Sequence, residues 1–70
     1  MQPVFIKTDF DLGMDFFDPP ETFLTPDAKL LKVVWYGQRT TYHLPETHSS
    51  VTFTTLEAAF HAAYGKPMQN

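Results

Sequence analysis

Three histidines, His43, His48 and His61, are the first residues whose chemistry has to be weighed. An imidazole can ligate a metal or move a proton near neutral pH. A ligand pair on one helix face would stand at i and i+4, whereas these residues are five and thirteen apart. They fall on a predicted strand, a loop and a predicted helix, so only the fold could bring them together.

Ser49 and Ser50 are the only serines, and His48 adjoins them. Neighbours in sequence do not make a triad, because the base must sit on the hydroxyl and be oriented by a third group. The stretch reads as a polar loop. Cysteine is absent, which excludes a thiolate zinc site, a thiol nucleophile, a redox pair and a disulfide framework. Asp9, Asp11, Asp15 and Asp18 could hold a hard cation, but the central Gly and terminal Glu of an EF-hand loop are missing. The three glycines are isolated, so no loop can cradle a phosphate. A small tautomerase would need Pro directly after the initiator Met, and Gln2 intervenes. The expectation is a non-enzymatic protein with no catalytic residue, no metal and no cofactor.

Two surfaces remain that could bind a partner. Lys32, Tyr36, Arg39 and His43 fall on one face of a predicted hairpin and combine positive charge with an aromatic ring. Such faces bind single-stranded nucleic acid. Few charges and an acidic chain make this the weaker reading, beside a plain Tyr36–Arg39 cation–π contact. The second surface is the acidic-aromatic stretch 9–27. It holds six carboxylates and no base, interleaved with Phe10, Leu12, Met14, Phe16, Phe17 and Phe23. Acids would steer it to a basic surface, and phenylalanines would anchor it. The residues expected to meet that partner are Asp9, Asp11, Asp15, Phe16, Phe17, Asp18 and Glu21. Equally, the rings could complete a small core while the acids keep the loop solvated.

These residues need a scaffold, and the chain has 70 residues to build one. That suffices for a single domain, 1–70, burying roughly 60% of its unfolded surface. Stability is then marginal, and a second copy or a partner would help. Hydrophobic residues are 43% and charged residues 19%, too apolar for a wholly disordered chain. The formal charge of −3 is uneven. Residues 1–28 carry six acids and one base, net −5, and residues 29–70 carry four bases and two acids, net +2.

Val4-Phe5-Ile6 begins a predicted strand over 3–9. Residues 10–28, broken by Gly13, Pro19, Pro20 and Pro26, read as a loop or interaction segment, with room for one helical turn at 14–18. Two strands, about 29–36 and 39–45, flank Gly37-Gln38, which suits a two-residue type II′ turn. That register sets Tyr36 against Arg39, so Leu31, Val33, Trp35, Thr40, Tyr42 and Leu44 share the core face. Val51 and Phe53 could add a further short strand. A helix over about 55–64 follows from the Thr54-x-x-Glu57 capping box, the stripe Leu56, Ala59, Phe60 and Ala63, and the stop at Gly65 and Pro67.

The expected fold is α+β: a small antiparallel sheet built on the hairpin plus an N-terminal strand, with one C-terminal helix packed on one face. The start MQPVFIKTDF has no basic region or long apolar run, so no signal peptide or membrane span is expected. Without cysteines, a reducing cytoplasmic compartment is favoured. The function that fits best is a small protein–protein interaction module, of the kind phages and mobile elements use as inhibitors, binding a basic, nucleic-acid-binding site on a larger protein. The alternatives are a homodimeric structural or small-ligand module and a single-strand binder.

Overall fold

A computed structural model describes residues 2–47 and 51–68. Four strands form one antiparallel sheet in the order β1-β2-β3-β4: β1 (Ile6–Thr8), β2 (Glu21–Leu24), β3 (Leu31–Trp35) and β4 (Arg39–His43). A 3₁₀ turn, Pro45–Thr47, follows β4, and among the described residues one helix, α1 (Leu56–Tyr64), forms and packs against β4. The α+β fold with an antiparallel sheet and a C-terminal helix is therefore the one expected from the sequence. His48, Ser49 and Ser50 lie outside the described residues.

β2 falls inside the stretch expected to be a loop. Pro19 and Pro20 precede it rather than interrupt it, and Pro is tolerated where a strand begins. Its return to β3 is a tight turn. The Ala28 amide donates to the Thr25 carbonyl at 2.8 Å and the Thr25 amide to the Leu30 carbonyl at 3.1 Å. Pro26 supplies the φ that the first corner position wants, while Ala28 is forced to a φ of 60°. No helical turn forms at 14–18.

The hairpin is present, but its register differs from the expected one by a residue. Trp35 opposes Arg39, Val33 opposes Thr41 and Leu31 opposes His43. The cause is the turn. Tyr36 and Gly37 both take positive φ, 56° and 72°, as the central residues of a type I′ turn must. The Gln38 amide donates to the Trp35 carbonyl at 2.9 Å, which leaves Gln38 as a third loop residue. Side chains alternate, so a one-residue slip moves all of β4 to the other face.

Residues directly opposed across antiparallel strands share a face. Thr8, Thr22, Val33 and Thr41 form one row across the sheet, and Leu24, Leu31 and His43 lie on the same side. Thr22, Leu31, Val33 and Thr41 are all buried, so this is the inner face. Thr40 and Tyr42, expected inside with Leu31 and Val33, belong to the opposite face. Leu30 and Ala59 are the other fully buried apolar residues among those described. The buried threonines are satisfied. Thr22 Oγ1 donates to the Thr8 carbonyl at 2.7 Å and accepts the Phe10 amide at 3.1 Å.

Helix α1 begins one residue later than the capping box implied. Thr55 is the N-cap, accepting the Ala58 amide at 3.3 Å. The far end is as expected. Gly65 stands in the left-handed region at φ 72°, and its amide donates to the His61 carbonyl at 2.9 Å. Ala59 is buried and Leu56, Phe60 and Ala63 are half-buried, while Glu57, Ala58, His61 and Ala62 face water. Phe53 exchanges two backbone hydrogen bonds with Tyr42, at 2.9 and 3.0 Å, so the late apolar pair contributes one bridge rather than a strand.

Candidate functional site

The acidic-aromatic segment is folded onto the inner face, and its phenylalanines divide. Phe16 turns inward and meets Trp35 edge-on, ring centres 5.7 Å apart. This T-shaped arrangement is one that aromatic rings prefer. Phe10 is held through its amide by Thr22, and Phe10 and Leu12 are half-buried. The next residue along from Phe16 does the opposite. Phe17 is fully exposed, at 108% of its reference surface, and Met14 is 61% exposed.

Asp9, Asp11, Asp15, Asp18 and Glu21 are all exposed. Asp11 bends the loop, because its Oδ1 accepts the Gly13 amide at 2.8 Å. Gly13 takes φ 76°, which costs glycine little. Of the seven residues expected to meet a partner, six present their side chains to water, and Phe16 anchors the loop that carries them.

The other expected surface is not one surface. Lys32 is on the outer face, Arg39 and His43 are on the inner face, and Tyr36 stands in the turn. The register slip separates them. Arg39 lies over Trp35, 5.8 Å from the ring centre, rather than over Tyr36. What the outer face carries instead is the row Lys7, Phe23, Lys32 and Tyr42. The Lys32 ammonium stands 5.5 Å from the ring centres of both Phe5 and Phe23, and Lys7 stands 5.7 Å from Phe23.

On the inner face, Trp35, Thr41 and His43 make a hydrogen-bonded chain. Trp35 Nε1 donates to Thr41 Oγ1 at 2.8 Å, and Thr41 Oγ1 pairs with His43 Nε2 at 2.8 Å. Thr41 Oγ1 thus accepts the indole hydrogen and has both a second lone pair and its own hydrogen with which to meet His43 Nε2. Burial pushes the His43 pKa below its usual value. His61 is exposed on α1. Among the described residues no three His, Cys, Asp or Glu side chains gather to hold a metal.

Sequence reasoning missed the knot at the β2–β3 turn. Asp27 Oδ1 accepts the Thr25 hydroxyl at 2.7 Å and the Lys29 amide at 3.2 Å, and both its oxygens accept the Tyr64 hydroxyl. The Thr25 hydroxyl above all, helped by Tyr64 and Lys29, holds the Asp27 carboxyl below its usual pKa. The Pro26-Asp27 pair marked a turn, but nothing in the sequence tied that turn to residue 64.

No helix among the described residues is long and apolar enough to cross a membrane. Compared with models of known protein families, with curated proteins and with solved structures, the chain matches none.

Proposed function

We propose that this protein is a small non-enzymatic interaction module whose acidic-aromatic segment 9–21, the loop before β2 with Glu21 at its end, docks on a basic, partly apolar surface of a larger protein. The observation that carries the reading is Phe17. It is wholly exposed between the exposed carboxylates of Asp15 and Asp18, on a loop whose neighbouring ring is pinned to Trp35. Leaving a phenylalanine in water forgoes about 2 kcal/mol that burial would return. A prearranged anchor also lowers the ordering cost of association. The acids around it fit a target that binds nucleic acid, and the compartment in which such an inhibitor of phage or mobile-element type would act is the cytoplasm.

The test is capture from a native lysate of the source or host cell, using wild type, Phe17→Ala and the Asp11/Asp15/Asp18→Asn triple variant. One partner is expected, weakened about tenfold or more by Phe17→Ala and released by salt, with the triple variant losing that salt dependence. Equal capture by all three proteins overturns the proposal. So does a complex indifferent to salt.

A further inference from the structure

A groove of about 750 Å³ lies between this loop and the inner sheet face. It is roomier than the grooves of about 260 and 370 Å³ beside Pro19 and Pro20. Leu31 and Trp35 line the sheet side, and Leu12 and Met14 line the loop side. A volume of this size, mostly apolar with a few polar groups, is what small-molecule sites have. Among the described lining residues one formal charge stands, the carboxylate of Asp11. Asp11 Oδ1 is engaged by the Gly13 amide at 2.8 Å. The described lining has no lysine or arginine, and burial lowers the pKa of His43 at its wall, which disfavours the cation.

From this we propose that the groove binds small hydrophobic amines, with the apolar body between Trp35 and Leu12 and the ammonium at Asp11. Charge selects the class. An ammonium finds one carboxylate at the mouth and further acids along the same loop, whereas a fatty acid or aryl carboxylate of the same shape meets only repulsion. The groove shares Asp11 with the docking loop but not Phe17, so Phe17→Ala, which should weaken partner capture and leave the groove intact, tells the two proposals apart.

Trp35 is the only tryptophan, so its fluorescence reports occupancy of the groove. The probes are 4-phenylbutylamine and 4-phenylbutanoate, which share a skeleton and differ in charge. A ligand this small binds at about millimolar strength. The amine is expected to give a saturable fluorescence change and to shift the Trp35 indole N–H resonance. The carboxylate should bind about fivefold more weakly or less. Asp11→Asn keeps an oxygen for the Gly13 amide and should erase that preference. Thr52→Phe, which puts a ring on the groove's lining, should abolish amine binding, and Phe17→Ala should leave it unchanged. Equal binding of the two probes, no saturation by either, or a preference that survives Asp11→Asn would overturn the proposal.

Discussion

The Tyr64 hydroxyl stands 3.0 Å from Oδ1 and 2.9 Å from Oδ2 of Asp27, so the last turn of α1 is tied to the β2–β3 turn across 37 residues of chain. The Lys29 ammonium lies 5.8 Å from the centre of the same ring. A nine-residue helix is too short to hold itself in water. It persists by packing, and this contact fixes its free end. The pair is exposed, so its worth is modest, and Tyr64→Phe should cost about 0.5–1 kcal/mol in chemical denaturation. Asp27→Ala should cost more, because Asp27 also accepts from Thr25 and Lys29. Asp27→Asn combined with Tyr64→Phe should be less than additive, since both changes remove one contact. Strict additivity would mean that the contact contributes nothing.

Two turns hold non-glycine residues at positive φ, Ala28 at 60° and Tyr36 at 56°. A side chain there costs about 1 kcal/mol or more, partly offset by the greater unfolded-state freedom of glycine. Ala28→Gly should therefore raise stability by about 0.5 kcal/mol, and Tyr36→Asn by a similar amount. Gly37→Ala, at φ 72°, should lower it by about 1 kcal/mol. Thermal melts of the three variants check the set, and a stabilising Gly37→Ala would show that the turn is not the one described.

These turns also mark where the sequence stopped being legible. Helix α1 could be read because its stop residue, Gly65, acts locally, and its apolar stripe needs no partner to be recognised. The hairpin strands could be read for the same reason. Their register could not, because Gly37 suits either of two turns, and whether Tyr36 or Gln38 joins it depends on what β4 buries. The decisive gain is tertiary: Thr41 turned inward satisfies the Trp35 indole. β2 was hidden by prolines that bound it rather than break it. Within the candidate site the acids were legible as exposed. The division between Phe16 and Phe17 was not, since an aperiodic loop has no face until Trp35 offers one.

The pH dependence follows from His43. Its folded pKa lies below the ordinary 6.5, because burial disfavours the cation. The unfolded chain therefore binds the proton more readily, and stability rises with pH across that window. The full contribution is present above pH 6.5 and is lost as pH falls from there towards the folded value. His43→Gln, whose amide offers Thr41 either a donor or an acceptor, should flatten the fall between pH 7 and 5. Asp27, also depressed, acts lower, from its ordinary 3.8 downward. Tyr64 acts at the other end. Burial first, then the neighbouring Asp27 carboxylate, raise its pKa, so its contribution is fully present below pH 10 and is lost as pH rises from there towards the higher folded value. Denaturation midpoints for wild type and His43→Gln from about pH 2 to 11 separate the windows. A wild-type profile flat from 7 to 5 would contradict the His43 assignment.

Lys32 sits between two rings, 5.5 Å from the centres of both Phe5 and Phe23, and this bears on the nucleic-acid alternative. The outer face has the composition of a stacking platform, with Lys7, Phe23, Lys32 and Tyr42 in one cross-strand row. A platform, however, needs open rings, and here the chain's own ammonium groups lie over them. Stacking a base on Phe23 would first displace two cations, each contributing about 0.5–1 kcal/mol at partly exposed sites, for a return of about 1–3 kcal/mol per base. The acidic balance of the chain adds an electrostatic penalty. Octathymidylate at low salt is therefore expected to leave the Phe23 and Tyr42 resonances in place. Lys32→Met should cost about 1 kcal/mol of stability, since the aliphatic stem still packs while the charge is gone. If the oligonucleotide shifts this row, and Lys7→Ala or Lys32→Met abolishes the shift, the face is a binding surface and the lysines are its ligands rather than its cover.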